Sequence, residues 1–597
     1  MHDVFSFRRS IWPAAVTSLI ATIAMMKIAD IAINNLLPMP AIWHGRTMIA
    51  HYDELRAWGW SIFQRGFPNQ IPLLLLLHLS ERIAASADSV KERFAQVGVL
   101  RSMTDAALIH GISIFVTAAT AFTCTYYSMQ PCDRVRHIRG RRFTSGRRAR
   151  RHFNKTERRI RKVTGLGLRL APGMRMARER ETRHFLVSGA TGSGKTVIIH
   201  SLLKQILDRG DKLIAHDTKG DVTETLPADR FTLLGPHDAR SGVWDIGSDV
   251  KTEQEARELA FAFIPESQEP VWANGAREIM AGVVITLQKN EGQKWGWEDL
   301  KNLLFADIAS LRRIFAMHYT EGLAYLEFEN NGPSRTTISF VVTMRAHLAM
   351  VVLPLANAWS RKNPSRRFSA RSFIFREDAD DRIVVLQRAP HLPSLSTAWI
   401  GAIVKLMANY SVGPLLPDDS KRRIWFALDE FPQLGKLDGF AQILEKGRSK
   451  GICVIIGAQD ISQINEKYGS EVAQGWFSSI GTRVICRTES GASASLICRD
   501  WIGKREVSWT DKSKSMAPFK WDGSGGGTTR SKNVQYRTVE VVSDSYLQSD
   551  LGRFETWPVP TIRALVLGVG GYVVEASWPI LPWMKIRAAT VPADWTK

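Results

Sequence analysis

The chain has 597 residues, of which 45% are hydrophobic and 23% are charged, and these values are typical of folded proteins rather than disordered ones. Its 79 lysines and arginines exceed its 58 acidic residues, and the resulting net charge of +21 favours polyanionic partners such as nucleic acid or an anionic membrane surface. Five cysteines exclude a disulfide-built scaffold, and a slightly negative mean hydropathy excludes a many-span transporter.

Two apolar segments near the N-terminus predict membrane spans. Residues 106–130 contain no Asp, Glu, Lys or Arg and are long enough to cross a hydrocarbon core of about 30 Å. Residues 11–34 are a weaker candidate, because Lys27 and Asp30 interrupt the apolar pattern, and a cleaved signal peptide is the alternative. Two spans would place both termini on one side of the membrane, with a loop of residues 38–104 on the other side.

The positive charge is concentrated directly after the second predicted span. Residues 131–183 hold 19 lysines and arginines but only four acidic residues, so this segment carries a net charge of +15. Basic residues beside a span remain on the cytoplasmic side, and the segment therefore predicts that both termini are cytoplasmic. The sequence does not distinguish anionic lipid from DNA as its partner.

A phosphate-binding loop follows the basic segment. Residues 189–196 match the pattern G-x-x-x-x-G-K-[ST], with an apolar, strand-like run before them and an amphipathic helix after them. Glycines let the backbone N–H groups surround phosphates, Lys195 supplies charge to the β- and γ-phosphates of ATP, and the Thr196 hydroxyl binds Mg²⁺. The predicted nucleotide-binding residues are Gly189, Ala190, Thr191, Gly192, Ser193, Gly194, Lys195 and Thr196.

Two further strands are predicted to end in catalytic residues. The apolar run 423–428 precedes Asp429, which is expected to hold Mg²⁺, and Glu430, which is expected to polarise the attacking water as a general base. The apolar run 452–457 precedes Gln459. We interpret Gln459 as a sensor of the γ-phosphate, with a plain loop glutamine as the alternative.

Three other features have more than one interpretation. Arg448 is either an arginine finger that reaches the γ-phosphate of a neighbouring subunit or a solvated cation at a helix end. Asp217 and Lys219 follow a short strand and either shape the nucleotide site, couple it to DNA or form a turn. Residues 510–534 are rich in Gly, Ser, Lys and Thr, which predicts a mobile loop at the surface or in a DNA channel.

These motifs, in this order, resemble the TraD/TraG-type coupling proteins of conjugative type IV secretion systems. The resemblance rests on the two predicted spans and on the runs GATGSGKT at 189–196, HDTKGD at 216–221, LDEF at 428–431, GRSKG at 447–451 and GAQD at 457–460. It implies a hexameric motor in the bacterial inner membrane that uses ATP and Mg²⁺. Such a motor drives single-stranded DNA, with its attached relaxase, into the secretion channel.

The resemblance also implies an α/β fold, in which a RecA-like P-loop ATPase core carries an inserted all-α domain and follows a two-helix transmembrane domain. Helical periodicity with few β-branched runs supports the insertion. The expected domains are a membrane domain at 1–130, a basic juxtamembrane segment at 131–183, a nucleotide-binding domain at 184–250 and 369–597, and the all-α domain at 251–368.

Three other functions fit parts of the sequence. An FtsK-type translocase of double-stranded DNA also combines spans with a RecA-like motor, but it usually ends in a winged helix that is not evident after Gly568. An ATPase that assembles the secretion machine would not need such clear spans. A membrane-tethered DNA receptor without catalysis would not need the intact set of Lys195, Thr196, Asp429 and Glu430.

Overall fold

The computed structural model describes residues 16, 18–21, 115–125, 135–329, 332–360, 366–377, 382–437, 439–489, 491–516 and 528–597. These residues divide between two compact units. The larger unit comprises residues 137–508 and 535–597, and the smaller one comprises residues of 1–136 and 509–534.

The smaller unit contains the described parts of both predicted membrane spans. Helix α1, Phe115–Thr125, belongs to the second span, and a short helical segment around Ser18 belongs to the first. The Ser18 hydroxyl donates a hydrogen bond to the carbonyl oxygen of Ala118 over 2.9 Å. The rest of the predicted spans, and the whole predicted loop at 38–104, lie outside the described residues.

The strands form one large sheet and four small ones among the described residues. The strands are β1 Val135–Gly140, β2 Arg142–Thr144, β3 Leu166–Ala171, β4 Met174–Ala177, β5 Phe185–Ser188, β6 Lys212–Asp217, β7 Thr232–Leu234, β8 Val243–Trp244, β9 Phe328–Glu329, β10 Gly332–Pro333, β11 Arg367–Phe368, β12 Ile383–Gln387, β13 Ile424–Leu428, β14 Ile452–Ala458, β15 Thr482–Ile485, β16 Lys504–Met516, β17 Thr528–Glu540, β18 Gly552–Phe554, β19 Thr561–Val569 and β20 Tyr572–Pro579.

The remaining α-helices all lie in the larger unit. They are α2 Gly146–Thr164, α3 Arg178–Glu181, α4 Lys195–Arg209, α5 Ile246–Asp249, α6 Glu253–Phe263, α7 Pro270–Glu291, α8 Trp297–Leu304, α9 Ile308–His318, α10 Arg335–Ala358, α11 Ala370–Phe375, α12 Pro393–Val412, α13 Phe440–Lys446, α14 Ser462–Tyr468, α15 Ser470–Ser479, α16 Gly491–Leu496 and α17 Asp544–Ser549.

The large sheet has the order β2-β20-β19-β15-β5-β14-β13-β6-β12-β7, with β18 paired to β19. The seven strands from β15 to β7 are parallel, whereas β19 is antiparallel to β15 and β20 is antiparallel to β19. Every residue of β5, β6, β13 and β14 is buried, because apolar clusters cover both faces of the sheet. Burial on both faces explains why these strands read as continuous apolar runs in the sequence.

Helices α6 to α10 fill most of the chain between β8 and β11. Their apolar faces join the cluster that covers one side of the sheet, where Trp244, Trp297 and Trp359 pack together with ring centroids 5.4–6.4 Å apart. Among the described residues, α10 alone is long and apolar enough to cross a membrane by length and composition. It packs against α7 and α8, and its inner residues, such as Met344, belong to the core.

Most of the basic segment folds together with the sheet. Strand β2 pairs in parallel with β20, and α2 buries Ala149, Phe153 and Glu157. The Glu157 carboxylate accepts hydrogen bonds from the Arg180 guanidinium, at 2.7 and 2.9 Å, and from the Ala177 backbone. Residues 137–183 therefore lie in the same compact unit as the sheet, joined to it by a buried ion pair and a strand pairing, whereas the nucleotide-binding domain expected from the sequence begins at residue 184.

The prediction of a loop at residues 510–534 is wrong for residues 510–516 and 528–534, which lie in strands. Strands β16 and β17 extend to Met516 and begin at Thr528, and they form a three-stranded sheet with β1 in the order β1-β16-β17. Residues 531–538 of β17 are all exposed, and a strand held by ladder hydrogen bonds needs no apolar face. The polar composition therefore did not reveal it, and residues 517–527 lie outside the described part.

Candidate nucleotide-binding site

The loop at 189–196 connects β5 to α4 with a conformation that requires glycine. Gly189 has φ 157°, and a Cβ atom there would lie 2.6 Å from the Cys486 Cβ. Gly194 has φ 100°, and a Cβ atom there would lie 2.6 Å from the Ile562 side chain. Helix α4 begins at Lys195 and directs its N-terminal N–H groups toward the loop, which is the arrangement that binds phosphate.

Lys195 and Glu430 face each other across this loop. The Lys195 side chain is 7% exposed, its ammonium donates to the Gly189 carbonyl oxygen over 2.8 Å, and it lies 3.7 Å from Glu430 Oε1. Glu430 has φ 52°, a left-handed conformation that is uncommon for a residue with a side chain. Such backbone strain concentrates at functional sites, where the surrounding structure holds it in place.

Gln459 connects the phosphate loop to Glu430. Its amide nitrogen donates to Glu430 Oε1 over 3.0 Å, and its amide oxygen accepts from the Thr191 hydroxyl over 3.3 Å. This arrangement depends on strand order: β14, which ends before Gln459, lies between β5 and β13. The carboxyl ends of these parallel strands share one edge of the sheet, and the residues that follow them therefore meet there.

Asp429 lies partly buried beside the same loop. Burial, followed by the negative charge of Glu430, raises its pKa to about 6, although the charges of Lys195 and Lys219 oppose this shift. Thr196 lies in the first turn of α4, directly after Lys195. These two residues offer the hydroxyl and carboxylate oxygens that the sequence analysis assigned to a metal ion.

Two neighbours of Asp429 lie in the runs 216–221 and 457–460 but were given no role from the sequence. Gly457, within β14, allows the Asp429 carboxylate to lie against the strand, because a Cβ atom there would be 2.5 Å from Asp429 Oδ1. His216 Nδ1 lies 2.6 Å from the Asp429 carbonyl oxygen. Burial lowers the pKa of His216 to about 4, so its neutral ring donates this hydrogen bond. A glycine inside a strand pattern is the one signal in the sequence that marked such a close approach.

Arg448 is not brought to this site within the chain. It lies between α13 and the first residue of β14, at the amino end of this strand, whereas Gln459 lies at its carboxyl end. Its side chain is 54% exposed and forms an ion pair with Glu179. The pKa of Glu179 is lowered first by its hydrogen bond with Arg183, and the charge of Arg448 adds to that effect.

Asp217 forms a turn. Its carboxylate oxygens accept hydrogen bonds from the Gly220 and Thr223 backbone N–H groups and from the Thr223 hydroxyl, each over 2.8 Å. Lys219 is exposed on the same turn and reaches the site only through its charge. Of the interpretations of Asp217, the turn-forming one describes its contacts.

The C-terminal residues 583–597, which we call the C-terminal strap, cross the same edge of the sheet. Gln387, the last residue of β12, donates to the Ala589 carbonyl oxygen over 2.6 Å, and Arg240 donates to the carbonyl oxygens of Ala588 and Ala589 over 2.8 and 3.2 Å. Gly220 has φ 83°, and a Cβ atom there would be 2.6 Å from the Ala589 Cβ. The close contact with the strap explains why residue 220 is a glycine.

The strap also reaches the phosphate-loop helix. The Trp583 ring packs on the His200 ring of α4, with ring centroids 4.4 Å apart. His200 lines a small pocket together with Asp217, Asp221 and Asp429. Burial is the main cause of the lowered pKa of His200. No motif in the residues after 580 signals this contact in the sequence.

Comparison with known proteins identifies the family. The family model described as "Type IV secretion-system coupling protein DNA-binding domain" matches residues 169–555. The coupling protein TraD of Escherichia coli (strain K12) is 25% identical over 390 residues, which are 64% of this chain and 52% of that protein. The chain therefore spans about half the length of this curated relative.

Solved structures of TrwB have the same fold. The bacterial conjugative coupling protein TrwBdeltaN70, unbound, is 23% identical with a TM-score of 0.59, and the match covers 76% of this chain and 96% of TrwBdeltaN70. TrwB in complex with the ATP analogue ADPNP is 23% identical with a TM-score of 0.57, over 76% of this chain and 97% of TrwB. These structures confirm the expected α/β, P-loop ATPase-like core. The chain belongs to the family of type IV secretion-system coupling proteins.

Proposed function

We propose that this chain is an inner-membrane motor that hydrolyses ATP to move single-stranded DNA, with its attached relaxase, into a type IV secretion channel during conjugation. One observation carries the proposal: Lys195, Glu430 and Gln459 meet at the phosphate-binding loop. Family membership supports the biological context, because the matched family is defined by coupling proteins of that secretion system.

Residues 189–196 are proposed to bind ATP with Mg²⁺. TrwB, which shares the fold, was solved with ADPNP and with ADP and Mg²⁺. The oxygens of Thr196 and Asp429 suit Mg²⁺, which is usually held by one or two protein ligands and by substrate phosphates. The raised pKa of Asp429 supports this fit, since a cation would favour its charged form. When bound, Mg²⁺ supplies positive charge to the phosphates of ATP.

The residues around the loop have complementary roles in this proposal. Lys195 neutralises charge on the β- and γ-phosphates. Glu430 orients the attacking water and accepts its proton, which is the work of a general base. Gln459 holds Glu430 in position through its amide nitrogen and reports the γ-phosphate at the tip of β14. Thr191, bonded to the Gln459 oxygen, connects this pair to the loop that surrounds the phosphates.

Arg448 is proposed to act on a neighbouring subunit in a hexameric ring. Its side chain is half-exposed at the sheet edge opposite the chain's own phosphate loop. An arginine at such a position meets a γ-phosphate only if another copy presents its loop there. An arginine finger supplied in this way stabilises charge in the transition state of phosphoryl transfer.

The domain map of the sequence analysis remains part of the proposal, with one change. A membrane domain at 1–130 with two spans would hold the motor in the inner membrane with both termini in the cytoplasm. The helices of residues 251–368 would form the all-α domain of the family. Residues 137–183 are proposed to belong with the nucleotide-binding core, and their ion pairs and strand pairing support this assignment. The remaining partners are channel components and membrane lipid.

ATP turnover by the detergent-solubilised full chain tests the proposal. We expect single-stranded DNA to stimulate turnover and Lys195→Ala to abolish it. Lys204→Ala is the matched control, because Lys204 is an exposed lysine on the same helix. Turnover that survives in Lys195→Ala would contradict the assigned site. Stronger stimulation by double-stranded DNA would instead favour the FtsK-type alternative, which family membership does not favour.

A further inference from the structure

Helix α2 presents a continuous basic face to solvent. We define the basic face as six exposed residues of α2: Arg148, Arg151, Lys155, Arg158, Arg159 and Lys162. At 3.6 residues per turn, they lie within an arc of about 100° and along about 20 Å of the helix. The opposite side of α2 buries Ala149, Phe153 and Glu157, so the core fixes which side faces outward.

The charge of the basic face is not neutralised by the protein. Among the described residues, none of the six makes an ion pair within 4.0 Å, whereas other arginines of the same segment do. The one acidic residue of α2, Glu157, is fully buried and engaged by Arg180. Six like charges on one face repel each other, so the face is suited to a polyanionic partner.

Exposed apolar residues near the basic face indicate which kind of polyanion binds there. Val163, in the last turn of α2, is 84% exposed, and Leu166, the first residue of β3, is 57% exposed. Helices that lie in a membrane interface combine basic residues with exposed apolar ones, because headgroup phosphates and acyl chains are close together there. Single-stranded DNA instead exposes base faces that stack on aromatic side chains, and neither Val163 nor Leu166 is aromatic. The basic face also begins 18 residues after the predicted span 106–130, within the distance over which basic residues act at a membrane surface.

We propose that the basic face of α2 binds the phosphate groups of anionic phospholipids at the cytoplasmic membrane surface. This inference rests on the membrane attachment in the proposed function. The core carries α2 rigidly, through Phe153 and the Glu157–Arg180 ion pair. Lipid binding by this face therefore orients the ATPase core relative to the membrane, in addition to attachment by the spans.

A fluorophore on the basic face tests the proposal in the full chain. Lys155→Cys is labelled with an environment-sensitive dye in a background with Cys124→Ser and Cys132→Ser, since Cys453, Cys486 and Cys498 are buried. The protein is reconstituted into nanodiscs of phosphatidylcholine alone or with about one third phosphatidylglycerol. We expect a blue shift of emission only with phosphatidylglycerol. The shift should disappear at about 1 M salt, where the screening length falls to about 3 Å.

Charge-reversal variants distinguish the effect of the basic face from the effect of the protein's net charge. Arg151→Glu with Arg158→Glu should abolish the shift, while the matched control Arg230→Glu with Lys251→Glu, at two exposed sites elsewhere, should retain it. An equal shift in both lipids would overturn the proposal, as would a label that responds to a single-stranded oligonucleotide and not to phosphatidylglycerol. The shift is read independently of ATP turnover, so a lipid-responsive but inactive protein would contradict the proposed function alone.

Discussion

The Gln459 amide nitrogen lies 3.0 Å from Glu430 Oε1, although the two residues follow different strands. The same Glu430 oxygen lies 3.7 Å from the Lys195 ammonium. Glu430 is therefore held between one residue of the phosphate loop and one residue at the tip of the intervening strand. A carboxylate held in this way is oriented before substrate binds, which is what a general base needs.

We expect Gln459→Ala to lower ATP turnover by about two orders of magnitude, because Glu430 loses the donor that orients it. Nucleotide affinity should change little, since the loop and Lys195 are untouched. Gln463→Ala is the control, at an exposed glutamine in the next helix. Steady-state turnover and nucleotide titration measure the two effects, and unchanged turnover in Gln459→Ala would reject a catalytic role for this residue.

The affinity for Mg²⁺–ATP should depend on pH through Asp429. Burial, then the charge of Glu430, raises its pKa to about 6, so the metal-free carboxyl is neutral below that pH. We expect affinity to fall as pH decreases through about 6, by roughly tenfold per pH unit below it. The folded-state pKa is raised, and without metal this group therefore contributes stability at low pH that is lost as pH rises through about 6.

Nucleotide titrations between pH 5 and 8 check this dependence, with ATP and chelator as the metal-free control. Asp429→Asn should remove the step, because an amide does not titrate. An unchanged step in Asp429→Asn would assign the titration to another group.

Arg448→Ala should reduce turnover by about 10³-fold if the arginine stabilises a neighbour's transition state. Glu179→Ala is the control, because it breaks the same ion pair, together with the Arg183–Glu179 pair, while it keeps the arginine. Solvent-accessible ion pairs contribute at most about 1 kcal/mol each to stability. Mixed assemblies of Arg448→Ala and Lys195→Ala subunits should regain turnover, since Lys195→Ala subunits supply the arginine to intact sites. If no mixing ratio restores activity, the role in trans is wrong.

Trp583→Ala should loosen the C-terminal strap. The ring is partly buried on His200, and its loss should destabilise the larger unit by about 1–2 kcal/mol. Trp557→Ala is the control, because that ring is 95% exposed. Limited proteolysis with mass spectrometry should detect faster cleavage within residues 583–597 in Trp583→Ala only. Equal cleavage rates in the two variants would show that this contact does not hold the strap.

Local motifs predicted the parts of the site that are contiguous in the chain. The run 189–196 specifies its own conformation, because only glycine fits at two of its positions. Gly189 and Gly194 have positive φ angles and lie too close to neighbouring side chains to carry a Cβ atom. Asp429 and Glu430 were recognised because both follow an apolar strand. The strands β16 and β17 were missed since their side chains are polar and exposed, and a composition rule for loops cannot detect hydrogen bonds between backbones.

The sequence alone determined the phosphate loop, the acidic pair and the uneven charge, because each depends on residues that are neighbours in the chain. Tertiary structure decided which of these elements meet. Strand order put β14 between β5 and β13, which joined Gln459 to Glu430. Arg448 precedes β14 and therefore lies at the other end of that strand. Packing of Phe153 and Glu157 fixed which side of α2 faces solvent, and contacts with β12 and α4 held residues 583–597 as the C-terminal strap. Contacts of this kind depend on the order in which crossovers pack onto the sheet, and no local periodicity encodes that order.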